Sequence, residues 1–472
     1  MVFAWIVIGV YLLLTLLIGY ISARHTASAG EFQGKQMTTA AVVFAAAGEW
    51  LGGTATSGVS EYGFAYGISG AWYTIANGLG VLFLAFLFAK LYRSLNLHTV
   101  PAIVAHYFGG SARHVSCILL VLVMLVVGLS QMIAAGKLGQ ALLGLDFMTT
   151  VTVFAVVFIL FTIFGGMRSI SAANCMHLVV MYGGCIAALA ICVHGQGGMS
   201  AFVQTAREIE PRAFDPTAIG GSKISSWIIA SLLGACTAQA GIQPVLAAKD
   251  VPTAKRACVF TALVVAPFGL VSATLGISAR ILSEQGLLLD TAGNVVTEAK
   301  LALPTLMMNL PPLAGGFVMA AILAAILSTV SPILLSAGTM LTKDLYEVRH
   351  PNSSAKRLLW ISRLTTAASG VICWLGAMLL VNQTMVLDVV YAAYSLRGAI
   401  FVVLLFGIWG KNRNSKAACT SMVLTAVIAV LWTVVKTVTG TYPVAPWFTE
   451  TYAAILAAVI SMLLCTKIYK QA

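Results

Sequence analysis

The stretch AAVVFAAAGEWLGGTATSG (residues 40–58) starts as an apolar helix and then breaks its own pattern. A carboxylate, Glu49, stands in the apolar run, with Gly48 before it and Gly52 and Gly53 just after. Glycine in a helix interior costs roughly 1 kcal/mol relative to alanine. A charge near a membrane centre costs a few kcal/mol more unless it is paired, hydrated or protonated. A second stretch, LGACTAQAGIQP (residues 233–244), is interrupted in the same way and ends in Pro244. Unwound backbone at membrane depth is tolerated only where it lines a cavity or is buried in protein. Two such interruptions at matching places in two halves of a chain point to a transporter site, whereas one alone reads as close helix packing.

The rest of the chain is consistent with a membrane setting. Its 472 residues are 60% hydrophobic and 9% charged, against about 25% charged residues in soluble proteins. Thirteen apolar spans are expected, near 2–22, 38–67, 70–92, 112–144, 147–165, 171–194, 224–248, 256–280, 302–341, 358–381, 384–409, 415–437 and 446–467. The 302–341 span is long enough to include a short external helix. The apolar run from Val2 to Ile21 lacks a basic leader and reads as a retained helix. Among 27 Lys and Arg residues, Lys137 and Arg397 fall inside spans. Six (Arg207, Arg212, Lys223, Arg280, Lys300, Lys436) fall on one set of loops and the remaining nineteen on the other. The positive side is cytoplasmic, which puts the N-terminus outside and the C-terminus inside. The net charge of +12 then reads as loop orientation and contact with anionic lipid headgroups, with no sign of nucleic-acid binding. Nine cysteines show no CxxC pair and read as reduced and structural. The seven histidines, His25 included, show no metal-ligand spacing. The outer loops 195–223 and 281–301 read either as lids or as ordinary surface loops. With no metal, nucleophile or acid/base motif, an enzyme is not expected.

Skipping the first span, the two interrupted spans become the first helices of two five-helix halves. An odd number of helices per half gives the halves opposite orientation. The expected organisation is an accessory helix and loop (1–37), a first repeat (38–194), an external loop (195–223), a second repeat (224–410) and two accessory helices (411–472). The ninth span, AAILAAILSTVSPILLSAGTMLTKDLYE (320–347), carries the adjacent hydroxyls Ser328 and Thr329. Such a pair supplies hard oxygen ligands for a small cation, or bonds back to its own preceding turn.

This segment resembles the sodium:solute symporter family. Ala325, Ser328, Thr329, Asp344 and Tyr346 match the A-x-x-S-S/T to D-x-Y pattern of its eighth core helix. GYISARHTASAGEFQGKQ (19–36), SGVSEYGFAYGISGAWY (57–73), GGMRSISAANCMHL (165–178) and LAAKDVPTAKRA (246–257) are similar to further family blocks, in order. The resemblance implies an all-α, five-plus-five inverted-repeat fold, alternating access and sodium-driven uptake, nearest to the sodium/proline branch. It implies a sodium site of the carbonyls of Gly48, Leu51 and Ala325 with the hydroxyls of Ser328 and Thr329. Some members hold a second sodium through an aspartate and two serines. Here those positions carry Asn174 and, at one serine, Pro332 beside Ser331, so one sodium is expected. By family position the substrate pocket includes Trp50, Gly52, Ala55, Thr74, Gln239 and Gln243. Ala55 and Thr74 replace polar and acidic residues of sugar carriers, which disfavours a sugar. The family's carboxylate position holds Trp50, one residue after Glu49.

Three roles stay open for Glu49: contact with a cationic substrate group, a proton or cation site, and pairing with a cationic side chain. Lys137 and Arg397 are its candidate partners. Lys137 is read as a substrate contact or a snorkelling side chain, and Arg397 as structural. Trp50 and Trp72 are candidates to cover a ring or ammonium group. The expected protein is a multi-pass inner (plasma) membrane symporter coupling one sodium to an amino acid, small carboxylate or amine-bearing solute, with a single chain sufficient for transport. A proton-coupled carrier using Glu49 and a transporter-fold sensor are the rivals, and the sequence shows no sensor output domain.

Overall fold

The structure, a computed structural model, describes residues 2–24, 28–143, 145–290, 293–380, 386–410 and 413–469. His25, Lys411 and Lys470, which entered the charge and histidine arguments, lie outside them. The helices that build the core and its rim are α1 (Val2–Ala23), α2 (Thr39–Trp50), α3 (Val59–Tyr66), α4 (Trp72–Phe83), α5 (Gly110–Leu143), α6 (Phe147–Gly195) and α7 (Gly221–Gly234). They continue with α8 (Gln239–Leu246), α9 (Val251–Glu284), α10 (Pro312–Met340), α11 (Ala355–Leu380), α12 (Val386–Trp409), α13 (Ser415–Thr439) and α14 (Glu450–Ile468). Local chemistry sets several starts. Thr38, Asp146 and Asp250 each accept a backbone N–H in the first turn of α2, α6 and α9, the usual way to satisfy orphan donors there.

Each expected span maps onto a helix or a helix pair, and the all-helical membrane fold is as expected. Among the described residues, eight stretches are long and apolar enough to cross a membrane, and nine with the bent pair α7 and α8. The sequence places a break between spans at 166–170, and Phe147–Gly195 is two helices joined at a kink there. Gly166 leaves helical geometry, at φ 58° and ψ −146°. A Cβ there would stand 2.3 Å from the Phe32 carbonyl oxygen, so the turn requires glycine. A short helix at Val100–Phe108, started by Thr99 and Pro101, was not foreseen.

Burial sorts core from rim. The most apolar 18-residue stretch within 313–349 is wholly buried inside the protein, whereas those of α11, α13 and α14 are 28%, 33% and 39% buried. Outward-facing apolar groups such as Leu13, Phe86, Val179 and Leu379 remain exposed, as lipid contact requires. α10 packs against α1, α2, α5, α6 and α11. Its small residues (Ala320, Ala321, Ala324, Ala325) are fully buried and let those helices approach.

Both discontinuous helices appear. Leu51 ends α2 with non-helical φ −107° and ψ 44°, and the chain resumes through a widened turn at Thr54–Gly58 into α3. α7 and α8 meet at a 41° bend. The two discontinuous helices are tied together away from their breaks, at the expected cytoplasmic end. Met37 N–H donates to the Ala247 carbonyl at 2.8 Å, and Lys249 N–H to the Met37 carbonyl at 3.0 Å.

Candidate functional site

The first break brings α2 against α10. The Ser328 hydroxyl donates to the Gly48 carbonyl at 3.0 Å and the Ala325 carbonyl at 2.9 Å. The Thr329 hydroxyl donates to the Gly48 carbonyl at 3.0 Å and the Glu49 carbonyl at 3.2 Å. Glycine makes this approach possible: a Cβ on Gly52 would stand 2.3 Å from Thr329 Oγ1. Gln131 on α5 braces the other side, accepting from Gly53 N–H at 3.1 Å. That satisfies a donor which the interrupted helix cannot pair internally.

Gly48, Ala325, Ser328 and Thr329 therefore converge as the sequence suggests. Leu51 is fully buried one turn on, and its carbonyl accepts no hydrogen bond from the hydroxyl pair. The Glu49 carbonyl occupies that role toward Thr329. The donors are carbonyl and hydroxyl oxygens with no carboxylate among them. Such a set fits a monovalent hard cation better than a divalent one, which draws on charged ligands. A bound cation would turn both hydroxyls so that lone pairs, not protons, face the carbonyls' side. Asn174 lies against the same turn, with Nδ2 3.5 Å from the Ala45 carbonyl.

A cleft enclosing about 810 Å³, its mouth included, begins at this break. Glu49, Trp50, Gly52 and Thr329 form its inner wall, with Tyr73, Asn77, Gln131, Tyr394 and Arg397 around it. It continues past Trp227 and Ser226 toward Lys223, Thr449, Glu450 and Thr451, at the expected outer end. Trp50 reaches across to the second discontinuous helix, where a Cβ on Gly241 would stand 2.8 Å from the indole Nε1. Glu49 is 7% exposed and Arg397 3%. Arg397 acts electrostatically on Glu49, although no ion pair within 4.0 Å joins them among the described residues.

Of the other residues named from sequence, Trp50 and Gly52 line the cleft, and Ala55, Thr74, Gln239 and Gln243 do not. Thr74 donates to the carbonyls of Ala71 (3.2 Å) and Ala266 (3.1 Å), joining α4 to α9. Gln239 accepts from Val100 N–H at 2.8 Å, and Gln243 donates to the Gln33 carbonyl at 2.8 Å. Both glutamines seal the expected cytoplasmic end. Lys137 is exposed and lies outside the cleft, near enough to Glu61 to act on its charge. Trp72 donates to the Pro216 carbonyl at 2.8 Å and pins the 195–223 loop. Sequence reasoning missed Tyr73, Asn77, Trp227 and the α14 start; Arg397, a candidate partner of Glu49 otherwise read as structural, lines the cleft with it. Only Arg397, a cation in an apolar span, carried a sequence signal.

The seam on that end is centred on Asp344. Its Oδ1 accepts from Arg113 Nε at 2.7 Å and Thr99 Oγ1 at 3.0 Å, which joins the end of the α10 segment to α5 and to the Val100–Phe108 helix.

Comparison with known proteins agrees with this fold. The chain is 24% identical over 484 residues to the high-affinity proline transporter PutP of Bacillus subtilis (strain 168), covering 97% of each. It is 26% identical over 329 residues to the sodium/pantothenate symporter of Escherichia coli (strain K12), covering 67% of this chain and 65% of that protein. The fold matches a Na+-coupled sialic acid symporter in its outward-open state, with a TM-score of 0.83 at 17% identity over 99% of this chain and 98% of that one. It also matches Mhp1, a nucleobase-cation-symport-1 family transporter, with a TM-score of 0.55 at 12% identity over 93% of this chain and 95% of that one. The family model that matches residues 32–425 is that of the sodium:solute symporters, and the chain belongs to that family.

Proposed function

We propose that this protein couples one sodium ion to the uptake of a small polar organic solute across the plasma membrane by alternating access. The observation that carries the reading is the double position of Thr329, which bonds the carbonyls of the first break and also lines the cleft. A cation held at Gly48, Ala325, Ser328 and Thr329, with the Leu51 carbonyl a further ligand, fixes α2 against α10. That fixes the wall formed by Glu49, Trp50 and Gly52. A ligand shifts an equilibrium only through its differential affinity for the two states. Sodium therefore favours the outward-facing arrangement, and by reciprocity the solute tightens sodium by the same factor.

The repeats are assigned to 38–194 and 224–410, with 1–37 and 411–472 accessory and 195–223 an external loop. The N-terminus is assigned outside and the C-terminus inside, on the charge bias of the loops. A single sodium follows from Asn174: an amide lacks the charge that offsets cation dehydration. One chain suffices for transport, since every named ligand is its own.

Thermal stability of the purified chain against a panel of small solutes, in sodium and in choline buffer, tests this reading. A solute whose stabilisation requires sodium is the expected result. Equal stabilisation in both buffers at every pH refutes sodium coupling. A proton-coupled carrier is the second reading, favoured by the buried Glu49 Oε2 that has no hydrogen-bond partner among the described residues. Stabilisation that follows pH and ignores sodium would select it.

A further inference from the structure

The cleft is lined by residues with three buried polar atoms that have no hydrogen-bond partner among the described residues: Glu49 Oε2, Arg397 Nε and Trp227 Nε1. One is an acceptor carrying negative charge, and two are donors, one of them cationic. Unpaired buried polar atoms are rare and costly, and a lone buried charge is costlier still. The two charges do not cancel by direct contact, since no Glu49–Arg397 ion pair forms within 4.0 Å.

Each charge is anchored beside one of the helix breaks. Glu49 is in the last turn of α2. Arg397 is on α12, where its carbonyl accepts from Thr237 Oγ1 at 2.6 Å in the segment between α7 and α8. Its guanidinium lies 4.0 Å from the centre of the Tyr394 ring, which fixes its plane. Trp50, Tyr73 and Trp227 give the space between them aromatic walls. Lys223 and Glu450 are the other charges of the cleft, and both belong to its outer stretch.

We propose that Glu49 and Arg397 are the two poles of a site for a small zwitterion, Glu49 receiving its ammonium group and Arg397, with Trp227 Nε1–H, its carboxylate. This rests on the symport reading and adds a substrate class to it. A solute with both charges pairs both poles at once. A solute with one charge, or none, leaves a buried charge unmatched. Glu49 thus acts as a solute contact, and Arg397 is a specificity-determining residue.

The test uses the purified full chain. The twenty standard L-amino acids are screened singly by thermal shift, each in sodium and in choline buffer, beside D-glucose and acetate. The amino acid giving the largest shift is then compared with its primary amide and its N-acetyl derivative. At least one amino acid should stabilise the wild-type chain, and each blocked derivative should bind at least about 30-fold more weakly, the loss expected when one member of a buried charge pair is removed. In Arg397→Gln the acid and its amide should bind within about 3-fold of each other. In Glu49→Gln the amine and its N-acetyl form should converge likewise. The wild-type comparison of derivatives needs no variant, so it stands even if a variant misfolds. Sodium-dependent stabilisation by glucose or acetate with none by any amino acid would overturn the zwitterion site and leave symport intact. Undiminished discrimination in both variants would also overturn it. Amino-acid stabilisation indifferent to sodium would support the zwitterion site while refuting the coupling.

Discussion

Substituting Gly52 by alanine tests the contact between the first break and α10. Gly52 is not among the positive-φ glycines, so alanine is conformationally acceptable and the effect is steric. The added Cβ would stand 2.3 Å from Thr329 Oγ1, 2.8 Å from its Cβ and 3.0 Å from its Cγ2. Thr329 is β-branched and helical, with few rotamers to retreat into. Moving it strains bonds at 3.0 and 3.2 Å to the Gly48 and Glu49 carbonyls. Overpacking of this kind costs about 1–3 kcal/mol, which converts to a loss of sodium affinity of about 5- to 150-fold. The readout is the sodium titration of thermal stability at fixed solute. Gly58→Ala is the matched control, because the nearest atom to its Cβ is Thr54 Cγ2 at 3.3 Å, and it should change sodium affinity by less than about 3-fold. Gly52→Ala combined with Thr329→Ala should cost less than the sum of the single changes, as residues in contact do. A Gly52→Ala protein with sodium affinity within about 2-fold of wild type would refute the placement of Thr329 at the break.

Further consequences concern the two ends of the protein. Arg113→Gln strands the fully buried Asp344 carboxylate, whereas Asp344→Asn strands an Arg113 side chain that is 24% exposed. Arg113→Gln should therefore destabilise more, approaching the roughly 3–5 kcal/mol of a broken buried pair, and thermal melts showing the reverse order would contradict the seam. Gly241→Ala drives a Cβ to within 2.8 Å of Trp50 Nε1, so it should weaken solute binding about 30-fold, the middle of the overpacking range, with sodium affinity less affected; titrating both ligands checks the split. His98 sits exposed in the loop before Val100–Phe108, and partial desolvation by its neighbours, reinforced by Lys343, Arg93 and Lys35 against an opposing Glu347, lowers its pKa below the usual histidine value. A base with a lowered folded pKa contributes stability that is present above its unfolded pKa of about 6.5 and lost as pH falls through the folded value. Melting temperature should thus fall on mild acidification, less so in His98→Gln, and an identical pH profile in the two proteins would remove His98 from the account.

Much of this architecture is written locally. Apolar runs and basic loops mark the spans, and the glycines around Glu49 and before Pro244 mark the breaks. The Ser328–Thr329 pair meets the Gly48 carbonyl, because a hydroxyl pair and a freed carbonyl are both local signals. Other features depend on packing between distant segments. Gln239 and Gln243 are polar residues of a discontinuous helix, yet they face the loops at 98–100 and 33. Nothing in their own helix tells which wall they face. Arg397 is visible as a charge, but its place opposite Glu49 depends on how α12 meets the α7–α8 break. The start of α14 lines the cleft, although the last two helices look uninformative in sequence. The kink at Gly166, by contrast, falls at the expected break between the 147–165 and 171–194 spans.

Sodium binding to the wild-type chain and to Ser328→Ala/Thr329→Ala is the most direct measurement of the central claim. Radioactive sodium bound to purified protein at equilibrium should saturate at one ion per chain in the wild type. In the double variant binding should be at least about 10-fold weaker, since two hydroxyl ligands are removed at about 1 kcal/mol each. Wild-type affinity retained in the double variant would contradict the account.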